Sequence, residues 1–151
     1  MNGIAQLNSS LDMEGERFLV MVEQAFSPFL SRLGFTPDDP SISGRYYHAS
    51  FTGPMNSIWI TFEPGDDELS IIIFARENGR LSNIDDRSKT PRLSDLNSRY
   101  MRMVSDQARS DNEAIFADVV AKDSRERLML KAANELHLVL PKYIEALSIC
   151  H

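Results

Sequence analysis

The segment Glu68–Arg76 reads ELSIIIFAR, and five of its nine residues are Leu, Ile or Phe. A period of two puts Leu69, Ile71, Ile73 and Ala75 on one face. The opposite face receives Ser70, Ile72 and Phe74, which is also mostly apolar. A β-strand of this composition wants cover on both sides, so helices are expected above and below it. Working outward, Pro64-Gly65-Asp66-Asp67 precedes the strand as a turn, with proline presetting φ and glycine accepting a positive one. Before the turn, Ser57–Glu63 alternates Ile58, Ile60 and Phe62 against Trp59 and Thr61. Gly53-Pro54 turns the chain back into an earlier strand over about Gly44–Thr52. Short connections make these three strands an antiparallel meander with Ser57–Glu63 in the middle. A short fourth strand near Leu81–Ile84, inside the polar stretch Arg80–Lys89, is kept open.

Helices are expected on either side of the meander. About Glu14–Leu33 carries Phe18, Val22, Ala25, Phe26, Phe29, Leu30 and Leu33 at helical spacing. Pro28 interrupts this run, either kinking it or opening a second set of turns. Gly34 fits a left-handed stop, with Phe35 packing back over Leu30. Thr36–Ser43, with two prolines and two aspartates, reads as a loop. Thr90-Pro91 starts a second helix with the stripe Leu93, Leu96, Tyr100, Met103 and Val104. Ser110–Glu113 has capping-box spacing and would open a third, burying Ile115, Phe116, Val119 and Val120. Asp123–Glu126 offers the same spacing before a last helix that runs to about Leu147, past Pro141. Its stripe begins at Leu128 and continues through Ala132, Leu136 and Tyr143. One helix, a meander and then about three helices make an α+β domain with helices packed on the sheet. Residues 1–151 read as a single domain, with 1–11 and 148–151 loosely ordered.

Composition bounds the function. The chain carries 16 basic and 22 acidic residues, a net charge of −6. All of it falls in residues 1–76, which opposes non-specific binding to nucleic acid or to anionic membranes. A lone cysteine, Cys150, excludes an internal disulfide and favours a reducing compartment. The sequence starts without a secretory pattern and holds no apolar run near the ~20 residues a membrane span needs. A cytoplasmic location is the expectation.

The search for chemistry returns little. His48, His137 and His151 have no partner at metal-ligand spacing. There is no G-x-S-x-G elbow, no G-x-x-x-x-G-K loop and no G-x-G-x-x-G. The pairs Asp38-Asp39, Asp66-Asp67 and Asp85-Asp86 all sit in expected loops, where they solvate a bend. No metal, cofactor or catalytic residue is assigned. Arg92, Arg99, Arg102 and Arg109 would share one helical face, with Asp95 and Asp106 neutralising it. Two features bear on binding. Glu63, Asp66, Asp67 and Glu68 place four acids within six residues, as a solubilising turn or as a landing patch for a basic partner. Trp59 is either a core aromatic under a helix or an aromatic patch on an uncovered sheet face. Trp59, Glu63, Asp66, Asp67 and Glu68 are therefore the candidate partner-binding residues.

The order of motifs carries a resemblance. F-x-x-F-L-x-x-L-G-F (Phe26 to Phe35), a three-stranded meander, R-L-S-D-L-N (Arg92–Asn97) and L-K-A-A-N-E-L (Leu130–Leu136) together resemble small bacterial immunity-type proteins. The resemblance implies an acidic, cytoplasmic, non-enzymatic protein that neutralises a secreted or contact-delivered toxin. It implies no particular site residues, because such proteins bind unrelated toxins through different surfaces. The expected partner is another protein, such as a basic toxin domain; a homodimer stays open. A second resemblance is to small acidic chaperones of type III secretion effectors, but Ala114–Ala121 does not alternate as their later strand pair would. A third reading is a small-ligand binder or enzyme using His48, Tyr46 and Tyr47 in a cleft against the helices.

Overall fold

The computed structural model describes residues 14–149. The lead-in expected over 1–11 lies outside them, as do residues 150–151. Helix α1 runs from residue 14 to residue 32, with Val22–Phe26 widened into a π-helical turn and Ser27–Arg32 regular again. The widening falls just before Pro28, which has no N–H for the carbonyl four residues back and crowds it. Gly34 (φ 92°) ends the helix, and Phe35 N donates to the Leu30 carbonyl at 2.9 Å. That is the left-handed stop the sequence predicts.

Three long strands follow: β3 (Tyr47–Thr52), β4 (Asn56–Glu63) and β5 (Glu68–Glu77), antiparallel with β4 central. The sheet is larger than the expected meander. The segment expected to be a loop forms β1 (Thr36–Pro37) and β2 (Ser41–Ile42), both paired along the outer edge of β3. The fourth strand exists but is displaced: β6 (Arg80–Leu81) folds back on the end of β5 around Asn78 and Gly79, both at positive φ. Residues Ser82–Ile84 are not in it. At the β4–β5 turn the positive φ belongs to Asp67 (49°), not to Gly65.

After the sheet come α2 (Leu93–Tyr100), a 3-10 turn (Met101–Met103), α3 (Asp106–Phe116) and α4 (Ser124–Ile149). Each starts at a cap. Arg92 N donates to the Asp95 carboxylate at 2.9 Å, the Ser105 hydroxyl accepts from Ala108 N at 3.1 Å, and Asp123 accepts from Glu126 N at 2.9 Å. Ser105 starts α3 earlier than the Ser110–Glu113 box predicts, and this shifts the buried positions. Phe116 and Asn112 are buried, whereas Ile115 and Val120 are 50% and 63% exposed. In α4 the buried stripe starts at Met129 rather than Leu128. The helix passes through Pro141 without ending and reaches Ile149.

The core lies on one side of the sheet. Phe26, Phe29 and Leu30 of α1 and Leu136, Val139 and Leu140 of α4 close over Phe51, Ile58, Ile60 and Ile73. Leu96 of α2 and Phe116 of α3 complete it. Close approach matters at Gly53, where a Cβ would stand 2.8 Å from the Phe35 ring. Two helices are tied across the core by Arg17 and Glu126 at 2.5 Å. Helices are expected on both faces, but among the described residues the helical members of the core meet only the face bearing Ile58, Ile60 and Phe62. No described helix is long and apolar enough to cross a membrane.

Candidate interaction surface

Register fixes what the second face of the sheet displays, because directly opposed residues in an antiparallel pair share a face. Read from the β4–β5 hairpin end, its rows are Glu63 and Glu68, then His48, Thr61 and Ser70, then Ser50, Trp59 and Ile72, then Thr52, Ser57 and Phe74. Trp59 is central and half-buried. Its ring lies 4.6 Å from Phe74 and 5.1 Å from His48, so one aromatic row crosses three strands. Neither Trp59 nor Ile72 belongs to the core on the other side. Phe74 is 3% exposed and still outside that core. It is sheltered on its own face, where Trp59 leans on it and Arg76 reaches across to the Ser57 hydroxyl at 3.4 Å.

Polar groups around Trp59 are held in place. His48 Nδ1 pairs with the Thr61 hydroxyl at 2.8 Å. Burial pushes the His48 imidazole below its ordinary value, against the opposing pull of Asp38. Asp38, between β1 and β2, accepts from Ser50 at 2.9 Å and from Thr52. The β3 edge is blunted and the later part of the β5 edge is occupied. Beside β3 run Pro37 and Pro40, which have no N–H, and Asp38 N binds the Ser50 carbonyl. Beside β5, the carbonyls of Pro91 and Lys89 take the N–H groups of Ile73 and Ala75.

The acidic turn divides in two. Glu63 and Glu68 close the hairpin as its last pair, and with Asp66 their carboxylates lie within 4.8 Å of one another, all exposed. As a cation site this group lacks any buried donor, histidine or cysteine. Asp67 turns the other way and meets Arg125 at 2.6 Å. Arg125 also holds Glu14 at 3.0 Å and the Pro64 carbonyl at 3.1 Å, and it lies 5.5 Å over the Phe62 ring. Burial works against the Arg125 charge, but the Asp67 and Glu14 carboxylates keep its affinity for the proton above the ordinary value. Four of the five sequence candidates thus meet on one face, and Asp67 is a structural tether instead. The sequence did not point to Ile72, Phe74, Asp38 or Arg76 as parts of this surface.

The other sequence candidates do not assemble. Tyr47 is buried on the core face with its hydroxyl 3.3 Å from Glu14, and burial pushes its phenol up. His48 faces the other way and Tyr46 is 45% exposed, so the three do not line one cleft. The arginine stripe is broken by the 3-10 turn and the extended Val104. Asp95 binds Arg87 at 2.9 Å and not Arg99. His137 packs 4.9 Å from Phe29 and bonds Asn112 of α3, and burial pushes its imidazole down. An open pocket of about 580 Å³ between β6 and the loop after it is lined by both signs of charge, with Lys89 3.2 Å from Glu77. No protein-family model matches the chain, and no curated protein or solved structure is significantly similar to it.

Proposed function

We propose that this chain is a non-enzymatic protein-binding domain that acts by occlusion, in the manner of the immunity-type proteins it resembles. One observation carries the reading: among the described residues, the helices of the core pack on one side of the sheet, and the other side carries a half-buried tryptophan. A tryptophan in the middle of a sheet face, ringed by hydroxyls, has the make-up of an interface anchor. The blunted β3 edge and the part-occupied β5 edge leave little length for strand addition, which favours the face itself. Bound there, the domain would cover a partner's working surface without chemistry of its own.

The test is affinity capture with the wild-type chain and with Trp59→Ser at low and high salt, starting with the product of the adjacent gene. The expected result is one protein held at fixed stoichiometry, lost with Trp59→Ser, whose own activity falls as the chain is added. Recovery of no partner at either salt overturns the reading, and so does substrate turnover by the chain alone.

A further inference from the structure

Resting on the protein-binding reading, we infer that the open face recognises its partner in one direction, seating a cationic side chain at the β4–β5 hairpin end and an apolar one on Trp59 and Ile72. The charge order along the strands sets that direction. At the hairpin end, Glu63, Asp66 and Glu68 bring three exposed carboxylates within 4.8 Å of one another. Asp67, the fourth acid of the turn, is already neutralised by Arg125, so the tether and the free charge are separate groups. Trp59 and Ile72 are opposed two rows further along, about 13 Å from Glu63 at the usual rise of a strand. Two rows beyond Ile72, about another 13 Å by the same rise, comes Arg76.

The face is therefore most negative at the hairpin end and apolar in the middle, while at the far end Arg76 is offset by the Asp38 carboxylate that Ser50 and Thr52 hold. Clustered charge of one sign attracts its opposite during encounter, and a reversed approach would meet no such cluster at the far end. The middle supplies the anchor: Trp59 is amphipathic and half-buried, and Phe74 beneath it is already dry. The partner chemistry that fits is a protein segment with lysine or arginine about 13 Å from an apolar side chain, which is about four residues in extended chain. A polyanion is excluded from the hairpin end by the same three carboxylates.

Trp59 is the only tryptophan, so intrinsic fluorescence reports this face alone. The probes are synthetic peptides carrying a Lys-Lys pair and one leucine, with the separation stepped from one residue upward, and Glu-Glu counterparts as controls. The expected result is saturable quenching or a blue shift that is strongest near a separation of about four residues and absent with Glu-Glu. Glu63→Lys with Glu68→Lys should weaken the best peptide about tenfold or more at low salt. Ile72→Ser should weaken it at low and high salt alike. Glu63 and Glu68 are exposed and Ile72 is half-buried, and none of the three belongs to the core. No response to any Lys-Lys peptide, or equal response to Glu-Glu, overturns the inference. A captured protein partner that binds Glu63→Lys/Glu68→Lys as well as wild type also overturns it, while leaving the protein-binding reading standing.

Discussion

Ile60 and Trp59 are neighbours on β4 and end in opposite surroundings. Ile60 is fully buried between the sheet and the helices. Trp59 is half-buried among two aromatics and several hydroxyls, outside the core that the described helices form. The two faces of the same strands thus answer to different demands. One face is filled by close packing, where lost volume is felt directly. The other is kept partly dry by side chains lying on each other. The largest expected effect separates them. Ile60→Ala should lower stability by about 3–4 kcal/mol in chemical denaturation, while Trp59→Ser should lower it by about 1–2 kcal/mol, the loss of the half-buried aromatic contacts with His48 and Phe74. Equal losses would mean that the two faces share one core, and the interaction surface would go with the distinction.

A second measurement probes how firmly the helices are held to the packed face. Glu126 is 5% exposed and takes its hydrogen bonds from Arg17 and from Lys122 N. The Arg17 bond is the main reason that its carboxyl sits below the ordinary carboxylate range. Arg17→Ala leaves that carboxylate buried with one donor. The expected cost is about 2 kcal/mol, below the range for a fully buried pair because Arg17 is itself 31% exposed. The sign in pH follows from the lowered value. The contribution is present above the unfolded carboxylate value and is lost as pH falls through the folded one. Wild type should therefore lose stability in acid faster than Arg17→Ala does, and parallel curves would show that the pair is not coupled to folding.

The histidines sharpen the comparison, since one lies on each side. Burial lowers both His48, on the open face, and His137, between α1, α3 and α4. A histidine whose folded value lies below its ordinary 6.5 is neutral in the fold while the unfolded chain already takes up a proton. Stability should fall as pH drops from above 6.5 toward the folded values. Asn can imitate the ring nitrogen that bonds Thr61 or Asn112, so His48→Asn and His137→Asn should each flatten part of that slope. Partner binding should change with His48→Asn alone. If His137→Asn altered partner binding as much, the surface would not be confined to the sheet.

Much of this architecture is legible in the chain because local rules and tertiary packing agree. Alternation places Ile58, Ile60 and Phe62 correctly, and Gly34 stops α1 as its left-handed conformation requires. What was not legible depends on distant partners. ELSIIIFAR is apolar on both faces, and only the register shows that Phe74 lies beside Trp59 on the face away from the core. Thr36–Ser43 reads as a loop because its strands are two residues each and are defined by β3 alone. In the site, the acidic cluster is visible in the sequence. That Asp67 leaves it for Arg125, 58 residues away, is not.

The smallest effect expected is also the one that isolates a misleading local signal. Ser110–Glu113 has the spacing of a helix start, and beginning there would turn Ile115 and Val120 inward. The chain instead caps at Ser105, whose hydroxyl takes the Ala108 N–H. With the helix phased from that cap, Asn112 faces α4 and donates to Asn134, and Ile115 faces solvent. Val120 lies beyond the end of the helix at Phe116. Ile115→Lys and Val120→Lys should each change stability by no more than about 0.5 kcal/mol. Asn112→Leu should cost more than either, because it strands the polar groups of Asn134 and His137 that now have a partner. A loss of several kcal/mol from Ile115→Lys would place that side chain against the core after all, and would move α3 from the rim of the packed face into it.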